Sequence, residues 1–273
     1  MSQQNSAMTS PAMPPEALPA PEVAVVTGAG RGLGRHLALE LAAQGLSVAA
    51  LGRKMVDLET LATETASNGG TVLPVLADVS DMAALRAAFD RIDAELGPVD
   101  ILFNNAAVYP HRDFLDETPE SFQHVMDINL GGTLTCAMLA LERMVPRGRG
   151  RIINVATFAG NDPTYLASAY SVSKGACRIL TKSMVRDLGD RFHDILINDW
   201  VPGALQTEMG LPDGTDPAVA AKWGVALALW HDQDLNGVTF DRDCEQLPVL
   251  SLKRRLFNKL TGRTKAPRRI PSL

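Results

Sequence analysis

Val23-Ala24-Val25-Val26-Thr27-Gly28-Ala29-Gly30-Arg31-Gly32-Leu33-Gly34 runs from an apolar segment of strand length into a glycine-dense turn, and an alanine- and leucine-rich stretch of helical length follows. A strand, a glycine turn and a helix in immediate succession bring free backbone N–H groups and the positive end of a helix dipole to one place. A phosphate can then approach the backbone closely. A plain tight turn would also use glycine, but it would need neither the strand before it nor the helix after it.

Outward from this stretch, apolar runs alternate with longer helical patterns, the signature of repeated βαβ units. Strands are predicted at 23–26, 48–51, 72–76, 101–103, 152–155, 195–197 and 238–240. Helices are predicted between them at 33–44, 55–67, 82–96, 120–144, 168–188 and 218–230. Gly45 and Gly97 fall where a helix end needs a left-handed residue. The expected fold is α/β: a single domain with a doubly wound parallel sheet and helices on both faces. Ligands of such sheets bind beyond the carboxyl ends of the strands, near the point where strand order reverses.

Hydrophobic residues make up 46 % and charged residues 21 % of the 273-residue chain, enough apolar side chains for a two-sided core. Cys136, Cys177 and Cys244 are odd in number and far apart, which fits neither a disulfide framework nor a zinc cluster and suggests a reducing compartment. The five histidines, His36, His111, His124, His193 and His231, show no ligand-like pairing, so no metal is expected. Residues 1–22 hold five prolines and no basic side chain, and read as a flexible leader rather than a secretory signal. No apolar run reaches the ~18 residues of a membrane span, so a soluble, cytoplasmic protein is expected. The net charge of −5 is uneven, because residues 251–273 carry eight basic side chains and no acidic one, and removing that +8 leaves −13 on the rest. An acidic body argues against nucleic acid as a partner, while the basic tail leaves peripheral membrane contact open.

Three motifs in order carry a family resemblance: the Gly28, Gly32, Gly34 spacing, Asn104-Asn105-Ala106-Ala107 after the fourth strand, and Tyr170-Ser171-Val172-Ser173-Lys174 on a helix. Together they resemble the short-chain dehydrogenase/reductases over about Val23 to Phe240. Ala107 departs from the family's usual glycine. The resemblance implies a Rossmann-type catalytic domain over 23–246, a basic C-terminal tail over 247–273, a homo-oligomer, and hydride transfer between a nicotinamide and a small carbonyl or secondary alcohol substrate.

The cofactor contacts it implies are Gly28, Gly30, Arg31, Gly32, Leu33 and Gly34 in the turn, the adenine pair Asp78 and Val79, Asn105 as support, Tyr170 and Lys174, and Leu205 and Thr207 in the loop Pro202-Gly203-Ala204-Leu205-Gln206-Thr207. The second strand ends Leu51-Gly52-Arg53-Lys54 with no acid to meet ribose hydroxyls, so NADP (NADPH) is expected over NAD. Arg53 can pair a 2′-phosphate through its planar guanidinium, with Arg31 as a second basic residue. The plainer alternative is that Arg53 and Lys54 begin a solvated helix.

Tyr170 and Lys174, four apart on one helix, share a face. The resemblance makes Tyr170 the general acid/base, with its phenolate favoured by the neighbouring ammonium and the oxidised nicotinamide, and gives Lys174 the nicotinamide ribose as well. The family's serine stands thirteen positions before the tyrosine; here that position is Thr157, which keeps the hydroxyl but adds a methyl group. Alternatively Thr157 only ends a strand and catalysis is lost. Asn129 resembles the asparagine that kinks its helix and anchors a water in the proton relay, and its amide should find a water or backbone partner. Only nine residues separate Thr207 from Pro217, so the region that usually closes over substrate is shortened and an open pocket is expected. A weakly catalytic, cofactor-binding regulatory or scaffolding protein is the competing reading. In the tail, Val249, Leu252, Leu256 and Leu260 recur at helical spacing, a face for the protein's own body, a sister subunit or an anionic membrane.

Overall fold

The apolar runs form β1 (Val23–Thr27), β2 (Ser47–Gly52), β3 (Thr71–Leu76), β4 (Ile101–Asn104), β5 (Arg149–Val155), β6 (Asp194–Val201) and β7 (Thr239–Asp241), all parallel, in a computed structural model that describes residues 23–247 and 266–273. A short β8 (Cys244–Glu245) runs antiparallel to β7 and completes an eight-stranded sheet of order β3-β2-β1-β4-β5-β6-β7-β8. Strand order reverses between β1 and β4, so the crevice beyond their carboxyl ends is the place for a ligand. The leader at 1–22 and the tail's apolar spacing at 249–260 lie outside the described residues. Among the described residues, no helix is long and apolar enough to cross a membrane.

Helices α1 (Gly32–Ala43), α2 (Met55–Ser67), α3 (Met82–Glu95), α4 (Pro119–Met126), α5 (Gly132–Met144), α6 (Ser168–Leu188) and α7 (Pro217–Leu229) cover both faces of the sheet. Several start on local chemistry: Asp81 caps α3, Thr118 and Ser121 form a capping box with Pro119 at the first turn of α4, and Asp216 caps α7 ahead of Pro217. Gly45 and Gly97, at φ of 88° and 102°, take the left-handed positions after α1 and α3.

One core lies between the sheet and α1 and α7, where Leu37, Leu41, Val225, Leu227 and Trp200 are fully buried. The other lies under α3 and α5 around Phe89, Ile92, Ala137 and Leu139. Each such aliphatic or aromatic side chain contributes roughly 1.5–3 kcal/mol by leaving water.

Two departures from expectation matter. The helix expected at 120–144, with a kink at Asn129, is divided there by a π turn, Asp127–Gly131, between α4 and α5. The Asn129 carbonyl accepts the Thr133 hydroxyl at 2.8 Å and the Cys177 thiol at 3.3 Å, while its side chain turns away to Val108, and the helix widens by a residue to allow both. Beyond β7, β8 was not anticipated, and residues 266–273 return to it: Arg269 bridges Cys244, Arg268 binds Glu245 at 2.8 Å, and Ile270 is buried in the α1/α7 core.

Candidate active site

The glycine turn between β1 and α1 is held by neighbours that leave no room for side chains. A Cβ on Gly34 would lie 2.3 Å from the Gly28 carbonyl oxygen, and Gly28 itself has φ of 66° against the Ala106 backbone. Asn105 ties this turn to the end of β4: its Nδ2 donates to the Thr27 carbonyl at 2.8 Å, and the Thr27 hydroxyl accepts the backbone N–H groups of Asn105 and Ala106 at 3.0 Å each. The turn therefore opens onto a groove of about 930 Å³ lined by Gly30, Arg31, Gly32 and Leu33 from the turn, Arg53, Asp78 and Val79 beyond β2 and β3, and Tyr170, Lys174, Leu205 and Thr207 from the far side.

All the sequence-derived cofactor contacts fall on this groove, and so do Thr157 and, through its neighbour Ile128, the Asn129 turn. Arg53 approaches Asp78 to 4.0 Å. Burial would raise Asp78, but Ser80's backbone and hydroxyl, with Arg53 and His124, hold its carboxyl below the usual range. Arg31 instead pairs with Glu208 from the loop after β6, and both are largely exposed. Asp57, in the first turn of α2, also lines the groove, so two carboxylates besides Glu208 share it with the basic groups.

Lys174 is buried, and its Nζ donates to the Val155 carbonyl at 2.9 Å. Burial pulls its amine down, against Cys177 and Asp199, which raise it. The Thr157 hydroxyl accepts the Ala159 N–H at 3.4 Å and lines the groove beside the Tyr170 phenol. Burial pushes Tyr170 up to about 12, with Thr157 acting the other way and Tyr109 and Cys177 adding to the rise.

Asn129 meets its expected partner in backbone: Oδ1 accepts Val108 N–H at 2.8 Å, and Nδ2 donates to the Val108 carbonyl and to Ser173 Oγ, each at 3.0 Å. Ser173 donates in turn to the Tyr170 carbonyl at 2.7 Å, so Asn129 braces the turn of α6 that carries the phenol. The loop after β6 is short but closed on itself: Gln206 N–H binds the Thr215 carbonyl at 2.9 Å, Thr215 N–H binds Ala204 at 2.8 Å, and Leu211 N–H binds Leu205 at 2.9 Å. It packs on the glycine turn, where a Cβ at Gly32 would meet the Thr207 methyl at 3.4 Å.

Sequence reasoning missed Tyr109, whose ring lies 4.4 Å from both Tyr170 and His111. An aromatic residue just past the carboxyl end of β4 was the available signal. Among the described residues, no group of acidic, histidine or cysteine side chains is arranged to hold a metal.

Comparison with known proteins agrees with this geometry. The family model for short chain dehydrogenases matches residues 22–217. L-xylulose reductase of Mesocricetus auratus is 36 % identical over 195 residues, 71 % of this chain and 76 % of the relative. Carbonyl reductase (NADPH) 2 of Sus scrofa is 36 % identical over 200 residues, 73 % and 78 % of the two chains. Among solved structures, a 3-ketoacyl-ACP reductase from Sinorhizobium meliloti 1021 superposes with a TM-score of 0.73 at 28 % identity, covering 80 % of this chain and 96 % of the other. A gluconate 5-dehydrogenase from Burkholderia cenocepacia J2315, in complex with NADP and tartrate, superposes with a TM-score of 0.74 at 28 % identity over 81 % and 93 %. With its glycine turn, its Asn-Asn-Ala segment and its tyrosine and buried lysine on one helix, this chain belongs to the short-chain dehydrogenase family of oxidoreductases.

Proposed function

We propose that the chain is an NADP(H)-dependent reductase of a small carbonyl compound, with Tyr170 as proton donor. The single observation that carries this reading is that Thr157, Tyr170 and Lys174 line one groove together, with Lys174 buried four residues along the same helix as Tyr170. When bound, the nicotinamide supplies or accepts the hydride. Gly28, Gly30, Gly32, Leu33 and Gly34 would cradle the pyrophosphate, Asp78, Val79 and Asn105 the adenosine side, and Lys174, Leu205 and Thr207 the nicotinamide half. The glycine backbone of Gly28, Gly30, Gly32 and Gly34 lines the groove and fits such a group.

Tyr170 delivers its phenolic proton to the carbonyl oxygen as the adjacent carbon is reduced, and takes it back from the alcohol in the reverse direction. A phenol that holds its proton well above neutral pH suits reduction. Thr157 orients the phenol and offers its hydroxyl to the same oxygen, and Tyr109 walls one side of the phenol ring. Arg53, with Arg31, is the pairing site for a 2′-phosphate, which favours NADP over NAD; carbonyl reductase (NADPH) 2 and the NADP-bound gluconate 5-dehydrogenase support that choice. Exposed Leu134 and Met138 on α5 and Val172 and Ile179 on α6 support a homo-oligomer, because such apolar positions are covered in assemblies.

The test is hydride transfer from NADPH to a panel of ketones, aldehydes and sugars, with NADPH binding measured separately. Turnover should fall by roughly 10²–10⁴ in Tyr170→Phe while NADPH binding changes little. Undiminished turnover in that variant would falsify the proton-donor role, and binding without any turnover in the wild type would return the chain to a cofactor-binding role alone.

A further inference from the structure

The groove is divided by charge. Arg31, His36, Arg53, Lys54, Asp57 and Asp78 line it along the glycine turn, α1 and the ends of β2 and β3, and Glu208 is drawn to that side by its ion pair with Arg31. Around Tyr170 the walls change character: Val108 and Tyr109 come from the segment after β4, Thr157 and Ala159 from that after β5, and Leu205 and Met209 from that after β6. Among the described residues, the cation on this side of the groove is Lys174, and its amine donates to the Val155 carbonyl at 2.9 Å.

The wall beside the phenol is fixed in place. The Arg112 N–H donates to the Leu166 carbonyl at 2.8 Å and Arg112 forms a β-bridge with Ala167, which fastens the segment after β4 to the start of α6. Tyr109, just before this bridge, and Tyr170, just after it, stand ring to ring, with centroids 4.4 Å apart and planes inclined at 46°. Leu166 takes φ of 55° at the bridge, a left-handed backbone that a leucine keeps only where its surroundings over-determine it. The Arg112 guanidinium is bound to Glu117 at 2.8 Å, and Arg112 with His124 lines a side recess of about 440 Å³ rather than the groove itself.

Apolar side chains continue the wall outward. Phe158 follows Thr157, Tyr165 follows Thr164, and Met209 lines the groove, and the three are exposed at 46 %, 84 % and 45 %. An apolar body laid against them and Tyr109 removes water from both surfaces. A carboxylate or a chain of hydroxyls would give up its own hydration there, against walls whose cation is already held by Val155.

We propose that the substrate is an uncharged carbonyl compound with an apolar body, an alkyl or aryl ketone or aldehyde, that lies against Tyr109 and Met209 while its carbonyl oxygen meets Tyr170 and Thr157. The inference rests on the reading of Tyr170 as proton donor to a carbonyl. The charged half of the groove is then left to the cofactor, and the uncharged half selects the substrate by its apolar surface.

The experiment measures kcat/KM of the full chain with NADPH for methyl ketones from 2-butanone to 2-octanone, for 7-oxooctanoate, which differs from 2-octanone by a terminal carboxylate, and for a ketopentose. The value should rise by about fourfold for each methylene that the wall covers. It should be at least tenfold lower for 7-oxooctanoate and for the ketopentose than for 2-octanone. Tyr109→Ala should reduce the ratio of 2-octanone to 2-butanone by about tenfold, and Tyr109→Phe should keep it; the ratio cancels any effect on the Tyr170 phenol, which both ketones share. Met209→Ser, on the exposed rim, should reduce the same ratio by less and carries the test if Tyr109→Ala does not fold. A flat series, a preference for 7-oxooctanoate or the ketopentose, or a ratio unmoved in the folded variants overturns the substrate class and leaves the reductase reading standing. NADPH binding without turnover of any carbonyl overturns that reading, and the substrate class with it.

Discussion

Asp199 and Trp200 are adjacent on β6 and face opposite sides of the sheet, and the two sides are built on different terms. Trp200 is fully buried among α1 and α7 residues, its indole N–H satisfied by the Arg242 carbonyl at 3.0 Å, and a Cβ on Gly224 would lie 2.8 Å from its ring. Asp199 looks into a face where Asn104, Asn154, Thr181, Lys174 and Arg178 are also buried. One face is mostly apolar packing, which stores stability without regard to protonation. The other face exchanges part of that stability for fixed dipoles and charges beneath the helix that carries Tyr170. A strand's period of two lets one sequence serve both purposes, since each step along β6 changes face.

Mutations can break or sharpen this contrast. Trp200→Ala should lose roughly 3–5 kcal/mol in denaturant unfolding, the range for deleting a fully buried large aromatic. A loss under about 1 kcal/mol would mean that the α1/α7 face is not the main store of stability. Ile270→Ala should cost about 2 kcal/mol by the same measurement, since the returning chain end contributes to that same core. Unchanged stability there would detach residues 266–273 from the core.

Asp199→Asn is expected to act with the opposite sign. Asp199 binds its proton more tightly in the folded protein, about 6 against an ordinary 3.8. Its ionisation therefore lowers stability as pH rises from about 4 through 6, and the loss persists above that. The asparagine variant should be more stable than wild type at pH 7–8, by on the order of 1–2 kcal/mol, and show no such gain at pH 4. Thermal melts across pH would expose the error if the difference were flat.

Smallest in stability is Arg53→Asp, on the rim and in neither core. Its Tm should move little, while the ratio of NADPH to NADH affinity falls by about tenfold or more, from a lost charge-assisted contact and added repulsion. A constant ratio would assign phosphate recognition to another residue.

Much of this architecture was legible in the sequence because its causes are local. The run Val23–Val26 and the helix at 55–67 depend on apolar periodicity, and Gly28 and Gly34 depend on a turn that admits no Cβ. That Tyr170 and Lys174 share a face follows from helical spacing, and their roles were read from the family resemblance. The π turn at Asp127–Gly131 was less visible, since it depends on Val108, Thr133 and Cys177 converging on Asn129 from other elements. Tyr109 against Tyr170 and Arg31 against Glu208 are meetings of segments distant in sequence, which no spacing encodes. Asp199 did leave a trace, a charge within an apolar strand run, but its meaning required knowing that α6 lies over that face.

The two rims of the sheet carry one more consequence. At one end β3 holds Pro74, which has no N–H to offer, and Arg91 donates to its carbonyl at 3.0 Å. At the other end β8 is covered by the returning chain, with Arg269 bridged to Cys244 and Arg268 bound to Glu245. An open parallel sheet offers its outermost strands as templates for another polypeptide, and proline, charge and a covering segment are the devices that blunt them. Both margins here are occupied in that way, so growth by strand addition between copies is disfavoured, and removing residues 266–273 would uncover the margin that they cover.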